Sequence, residues 1–429
     1  MLKTVQKLNS GLKGEITIPA DKSVSHRAVM FSSIARGKCR GKSIVKNFSS
    51  GADCHSTLNI FKQLGVNIEF IDEKTLSINS DGNLNPSFTP LDAGNSGTTT
   101  RLISGILAGQ KFDSVIIGDE SLSKRPMKRI IEPLTLMGAE IDSVDGHAPL
   151  TIKGRNLHGI IYNSKLASAQ VKSCVLLAGL NADGKTTFTE PYLSRNHTEL
   201  LLQYLGADIT INGTSSTICS SELAAKDITI IGDISSAAFF IVAGLIVPNS
   251  DFVMKDVGLN PTRAGIIDVV KRMGGGVNIL NRHLDSGEEV GDIRVQYNDN
   301  LKGCIIEGED IPRLIDELPV IAVLASQADG QTIVKNAEDL RHKESDRIKC
   351  LVSELKKIGI KIEETQDGFI IDGKTQIKGG AELESYHDHR LAMSFYIAGL
   401  IAENEIAING FEWTKISFPE FEELVYKLV

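Results

Sequence analysis

The sequence predicts a mixed α/β (α+β) fold of two domains, each built from three copies of one unit with its helices buried inside and its sheets outside. Three observations carry this. The chain has 429 residues, too long for one ordinary core and suited to two domains of roughly 200 residues. A helix-like segment ending in an apolar residue and Gly, then an alternating strand, recurs as FKQLGVNIEF, LTLMGAEI, LQYLGADITI, KRMGGGVNI and LKKIGIKIEE. In phase with it runs a second series: KSVSHRAVMFSSIARG, NSGTTTRLISGILAG, SAQVKSCVLLAGLNADG, ISSAAFFIVAGLIVP, DELPVIAVLASQADG and DHRLAMSFYIAGLIAEN.

The glycines of the first series, Gly65, Gly138, Gly206, Gly274 and Gly359, are 73, 68, 68 and 85 residues apart. Each suits a helix C-cap leading into a strand. The longest step contains the polar insertion NRHLDSGEEVGD. Helices of the second series open with Ser, Asn or Asp, residues that cap orphan N–H groups for about 1 kcal/mol. Ser23 reads as such a cap. These helices are apolar almost all round, so they are expected inside. Strands such as TLSINS and KIEET alternate and are expected to keep one wet face. Six copies of about 71 residues fill the chain, and Asp227–Gly232 is the expected crossing between the third and fourth.

A net charge of −8 and a pI near 5.7 exclude an extended nucleic-acid or anionic-membrane surface, since either partner calls for a basic field. Cys39, Cys54, Cys174, Cys219, Cys304 and Cys350 never come closer than 15 positions. That spacing offers no metal site and suits small buried apolar residues in a reducing compartment. The N-terminus lacks a signal-peptide core and AAFFIVAGLIVP is shorter than a bilayer span, so the expected location is cytoplasmic.

Cations at helix starts oppose the helix dipole unless an anion lies between them. Lys22 and Arg27, then Lys124 and Arg125, stand at such places. Lys172, Arg195, Arg341, Lys343, Arg347 and Arg390 recur beside Gly, Ser and Gln. Together they point to a cleft for more than one phosphate or carboxylate. No Walker loop or GxGxxG motif is present, so nucleotide binding is unsupported. Asp316 and Glu317 open a helix in which Asp316 could be a cap. Lys343 and Arg347, four apart, would share one helical face, with Glu344 able to pair with Arg347. His389 could be a general acid or a hydrogen-bond donor.

The motifs ADKSVSHRA, GNSGTTTRL, DESLSKRPM, SAQVKS, SRNHTE, GDISSAAFF, NPTR, DELP, LRHKESDR and DHRLAM occur in this order. On them the chain resembles the 5-enolpyruvylshikimate-3-phosphate synthases, or 3-phosphoshikimate 1-carboxyvinyltransferases. The resemblance implies an inside-out α/β barrel of six βαβαββ repeats, with domains 21–231 and 1–20 plus 232–429 and an active site in the cleft between them. It implies that the 5-hydroxyl of 3-phosphoshikimate attacks C2 of phosphoenolpyruvate and the tetrahedral adduct expels phosphate. Lys22, Ser23, Arg27, Ser168, Ala169, Gln170, Arg195, Asp316 and Lys343 would hold 3-phosphoshikimate. Lys22, Gly97, Arg125, Gln170, Arg347 and Arg390 would hold phosphoenolpyruvate. Asp316 would be the base and Glu344 the acid toward the methylene carbon, while Lys22 and His389 would stabilise charge on the leaving phosphate. The resemblance calls for no metal and no organic cofactor, and for a monomer with these two small substrates and no nucleic-acid or membrane partner. Lys415 stands one residue before the position where some relatives carry a lysine, and Gly97 leaves the space that admits glyphosate as an inhibitor. His26 is expected to be structural. UDP-N-acetylglucosamine 1-carboxyvinyltransferases share the donor but carry Lys-Asn in place of Lys22-Ser23, and a loop cysteine absent from DESLSKRPM. A non-catalytic scaffold binding an acidic partner is the other alternative.

Overall fold

All five glycines that end a unit adopt φ between +82° and +95°, the left-handed region in which a Cβ is unfavourable. Nothing lies within 4 Å of a Cβ built at Gly206. Gly206→Ala therefore isolates the backbone cost and is expected to lower unfolding free energy by about 1 kcal/mol, read as a lower urea midpoint with an unchanged circular dichroism spectrum.

The computed structural model describes residues 1–36 and 41–429, so Cys39 lies outside the described residues. The chain divides into two units. One, here the inserted unit, holds Ala20–Ile231 with Leu284–Glu288; the other, the flanking unit, holds Met1–Pro19, Gly232–His283 and Glu289–Val429.

Five four-stranded sheets share one strand order. In the sheet of Leu91–Asp92, Ser114–Ile117, Glu140–Val144 and His147–Lys153, the first strand runs parallel to the second. The second pairs antiparallel with the fourth, and the third and fourth form a hairpin. The same order recurs at Ile161–Asn163, Lys185–Thr189, Ile209–Asn212 and Ser215–Cys219, and again at Ile305–Ile306, Gly330–Val334, Lys361–Glu364 and Phe369–Gly373. Two further sheets complete it with strands from far along the chain: Ile228–Thr229 joins Gly41–Lys46, and Lys13–Thr17 joins Asp251–Gly258, both in parallel. A three-stranded sheet sets Glu382–Glu384 and Leu2–Val5 either side of Ile406–Asn409.

Ahead of the second strand of each set runs a buried helix: Lys22–Ile34, Gly97–Ala108, Ala169–Gly179, Ile234–Ile246, Leu318–Gln327 or His389–Gly399. Every residue of Ile234–Ile246 is buried, as its near-continuous apolar sequence demands, each Phe or Ile contributing about 1.5–3 kcal/mol. Side-chain caps come from Asp21, Ser96, Ser168, Asp233 and Asp388, each accepting from a first-turn N–H. The cap of the first helix is thus Asp21, which accepts from Val24 N at 2.9 Å, and Ser23 is released from that task. Leu318–Gln327 has Glu317 at its cap position without a side-chain cap bond.

Two expectations need correction. In Thr75–Ser80 the polar Ser77 and Ser80 are buried as well as the apolar residues, because this strand is central in its sheet and Ser80 donates to the Ser33 carbonyl at 2.6 Å. Cys54 and Cys174 are buried, but Cys219, Cys304 and Cys350 are only half-buried. Among the described residues no helix is long and apolar enough to cross a membrane.

Candidate active site

Asp21 caps the helix Lys22–Ile34, so Lys22 stands in its first turn. Lys22 Nζ lies 2.6 Å from Asp53 Oδ2. Burial would raise the Asp53 pKa, but Lys22 outweighs it and holds the carboxyl below its usual range. One turn on, Arg27 is buried and donates to neutral oxygens. Its Nε donates to Thr198 Oγ1 at 2.7 Å, Nη1 to the Ser23 carbonyl at 2.9 Å and Nη2 to Ser173 Oγ at 2.9 Å. Burial pulls its pKa down to about 10 against the charges of Glu199 and Asp21, which raise it.

A second cationic group surrounds the start of the helix Gly97–Ala108. Arg125 donates to the Asn95 carbonyl at 3.3 Å and to Asn95 Oδ1 at 2.7 Å. Arg101 donates to Gln170 Oε1 at 2.5 Å, and Gln170 Nε2 donates to Thr98 Oγ1 at 3.0 Å. Burial, then repulsion from Arg125 and Arg129, lowers the Arg101 pKa to about 10. A Cβ on Gly97 would stand 3.1 Å from Arg101 Nη1 and 3.6 Å from Arg125 Nη1, so only hydrogen there leaves both guanidinium groups room. Gln170 follows Ala169 in the helix capped by Ser168, whose Oγ accepts from Val171 N at 3.5 Å.

In the flanking unit Asp316 is not a helix cap. Its Oδ1 lies 3.4 Å from both Lys343 Nζ and Arg347 Nη1, and its Oδ2 lies 3.9 Å from Arg263 Nη1. Arg390 Nη1 donates to its backbone carbonyl at 3.0 Å. The segment LRHKESDR is not one helix: a 3-10 turn covers Glu338–His342 and an α-helix starts at Arg347. Lys343 and Arg347 therefore do not share a helical face, yet they converge on one oxygen of Asp316.

Arg347 is buried and bound to Asp388 Oδ2 at 2.7 Å through Nε and to Glu344 Oε2 at 2.5 Å through Nη2. Burial disfavours its charge, but Asp388, Glu344 and Asp316 together push its pKa up. Glu344 has the mirror behaviour. Burial would raise its pKa, and the charges of Arg347 and Lys343 beside it hold it well below the carboxylate range. As arranged, Glu344 is an acceptor with no proton to give. Burial, then Arg390, lowers the His389 pKa to about 4. Burial thus favours the neutral ring of His389 before any anion is bound.

His26, one turn after Lys22 in the same helix, shares a 2.7 Å hydrogen bond with Thr57, which bonds Thr99 at 2.7 Å, which donates to Ser96 at 2.7 Å. It joins three helices, and burial lowers its pKa to about 3. Both histidines have folded pKa values below the unfolded value near 6.5, so the unfolded state binds more protons and their contribution is present above pH 6.5 and lost as pH falls toward 4 and 3. The expected NMR result is that the His26 and His389 ring signals stay in their neutral positions at pH 5.5. A His389 midpoint near 6.5 would overturn the neutral assignment.

Three cations singled out by sequence leave the anion-facing set. Lys124 pairs with Glu120 on the surface. Arg341 bridges Asp346 and Glu364. Lys172 is buried against Glu190 at 2.7 Å and Glu199 at 2.8 Å. Arg195 is half-buried beside this cluster in sequence, and Lys415 is exposed at the end of a 3-10 turn. Sequence reasoning missed Arg101, Asp53, Arg263 and Glu317. Arg263 donates to Asp233 at 3.1 Å, and buried Glu317 accepts from Ser235 and lies 3.6 Å from Arg263 and 3.7 Å from Arg390. Arg101 and Arg263 lie within quoted motifs, so motif membership was the available signal.

A family model described as EPSP synthase (3-phosphoshikimate 1-carboxyvinyltransferase) matches residues 7–425. The chain is 52% identical over 415 residues to 3-phosphoshikimate 1-carboxyvinyltransferase of Thermoanaerobacter sp. (strain X514), with 96% of each chain covered. It is 51% identical over 423 residues to the protein of that name from Thermodesulfovibrio yellowstonii, covering 97% of each. A solved EPSP synthase from Acinetobacter baumannii superposes with a TM-score of 0.91 at 43% identity, over 100% of this chain and 98% of that one. The enolpyruvyl transferase NikO of Streptomyces tendae has a TM-score of 0.81 at 18% identity, over 100% of this chain and 97% of its own, and shares the fold.

Proposed function

Since this chain belongs to the EPSP synthase (3-phosphoshikimate 1-carboxyvinyltransferase) family, we propose that it transfers the enolpyruvyl group of phosphoenolpyruvate to the 5-hydroxyl of 3-phosphoshikimate and releases phosphate. The single observation supporting this most directly is the placing of two cations, Arg101 and Arg125, beside Gly97 at one helix start of an acidic protein, with the Arg101 pKa lowered by burial and by repulsion from Arg125. Both substrates are polyanions, and each phosphate or carboxylate relieves repulsion that the protein alone leaves in place.

On this reading Lys22, Ser23, Arg27, Ser168, Ala169, Gln170, Arg195 and Lys343 hold 3-phosphoshikimate, and Lys22, Gly97, Arg125, Gln170, Arg347 and Arg390 hold phosphoenolpyruvate. Asp316 accepts the proton of the attacking hydroxyl, and the new C–O bond forms at C2 as the methylene carbon takes a proton from Glu344. Glu344 takes that proton from solvent once the phosphoenolpyruvate anion competes with it for Arg347. When the adduct collapses, the C–O bond to phosphate breaks while Glu344 takes a proton back from the methyl carbon to re-form the C=C bond, and the departing phosphate, held by Lys22 and hydrogen-bonded by His389, carries off the proton that Asp316 had accepted. Aligned substrates supply much of the rate beyond these proton transfers.

The finer architecture on this reading is an inside-out barrel of six βαβαββ repeats, three in each of the domains 21–231 and 1–20 plus 232–429, working as a cytoplasmic monomer that glyphosate inhibits. The test is phosphate release measured with each substrate alone and with both. Release is expected only with both; release with phosphoenolpyruvate alone, or with UDP-N-acetylglucosamine in place of 3-phosphoshikimate, would overturn the assignment.

A further inference from the structure

The insertion NRHLDSGEEVGD forms the end of the hairpin Gly276–Asp285 and Glu288–Gln296. Five residues at its tip, Leu284–Glu288, group with the inserted unit although the chain on either side groups with the flanking unit. The tip is seated by specific contacts. Ser286 Oγ accepts from Thr229 N at 2.9 Å. Gly287 has φ +86°, and a Cβ there would stand 3.1 Å from the Leu200 carbonyl and 3.2 Å from Tyr204 Cβ. Glu288, only 2% exposed, shares a 2.7 Å hydrogen bond with Nδ1 of His197, itself 1% exposed.

His197 opens the helix His197–Tyr204, and its neighbours carry the next contacts. Thr198 Oγ1 accepts from Arg27 Nε at 2.7 Å, and Glu199 binds Lys172 at 2.8 Å. SRNHTE therefore places three consecutive anchors just after Arg195. A buried carboxylate tolerates little freedom, because leaving it without its partner is costly. Glu288 thus fixes where His197 stands, and with it the hydroxyl that orients Arg27. The negative charge of Glu288 also supports the Arg27 cation.

We propose that Glu288 is a positioning residue for the 3-phosphoshikimate subsite, acting through His197 on the segment that carries Arg195 and Thr198. This rests on the function proposed above. The tip of this hairpin then supplies part of the support for a binding group far from it in sequence.

Steady-state kinetics of wild type, Glu288→Ala and Glu288→Gln test it. Glu288→Ala is expected to raise KM for 3-phosphoshikimate about tenfold while KM for phosphoenolpyruvate stays within about twofold. Glu288→Gln keeps an acceptor oxygen for His197 and is expected to lose about threefold. A purely structural role would reduce the active fraction and leave both KM values alone. If Glu288→Ala does not fold, Glu288→Gln carries the test by the same selectivity. KM values that are both unchanged, or raised equally, overturn the inference while wild-type turnover upholds the function. A wild type that neither turns over nor binds 3-phosphoshikimate by calorimetry overturns both.

Discussion

Asp316→Asn is expected to lower kcat by about 10²–10⁴, the range for loss of a positioned general base, while 3-phosphoshikimate still raises the melting midpoint. The asparagine keeps the shape and an oxygen for Lys343 and Arg347, which both approach Oδ1 at 3.4 Å. It cannot take a proton from the attacking hydroxyl. Single-turnover phosphate release separates the two consequences, because ligand binding persists where the chemical step fails. A kcat within tenfold of wild type would show that the proton leaves by another route, since removing a positioned base costs about 10² or more. Loss of the ligand-induced stabilisation would instead make Asp316 chiefly an organiser of its three cationic neighbours, Lys343, Arg347 and Arg263.

The second large effect is on stability. Lys172→Met is expected to destabilise the inserted unit by about 3–5 kcal/mol, the cost of leaving a buried charge uncompensated. Lys172 Nζ is bound by Glu190, Glu199 and the Ser194 carbonyl, and all three charged side chains are at most 1% exposed. Methionine fills the volume without the charge, so two carboxylates remain in an apolar surround. Replacing both with glutamine in the same variant should recover part of the loss, because the charges and not the packing create it. Urea unfolding of the three proteins checks this. A loss under about 1 kcal/mol for Lys172→Met, the scale of an exposed pair, would mean that water reaches the cluster.

Much of this was legible in sequence because it rests on local rules. A Gly at a helix end, an apolar helix and an alternating strand each follow from a few adjacent residues, and Gly65 to Gly359 mark units that the sheets display. Anion-facing cations were legible as a class and less so as individuals. Lys172 and Arg125 look alike along the chain, yet one has two buried glutamates and the other has asparagine oxygens. Partners that decide such cases come from distant segments: Glu190 is 18 residues from Lys172, and Asp388 is 41 from Arg347. Asp316 looked equally suited to capping, and only the approach of Lys343 and Arg347 shows what its carboxylate faces. Continuity of helix across LRHKESDR failed for a local reason, since Asp346 caps a new helix at Arg347 by accepting from Lys349 N at 3.1 Å.

The flanking unit takes its first strands from the opposite end of the gene's reading order. Lys13–Thr17 pairs with Asp251–Gly258, and Leu2–Val5 with Ile406–Asn409. At a synthesis rate of about 5–20 residues per second, Lys13–Thr17 emerges roughly 10–50 s and Leu2–Val5 roughly 20–80 s before its partner exists. During that interval the inserted unit, including the Ile228–Thr229 strand that completes its first sheet, is already translated. The leading segment is then a bare edge tethered to a folded body, open to pairing with any neighbouring chain. Its spacing of polar residues, with Lys3, Lys7 and Lys13 in the first 13 positions, keeps it charged while it waits.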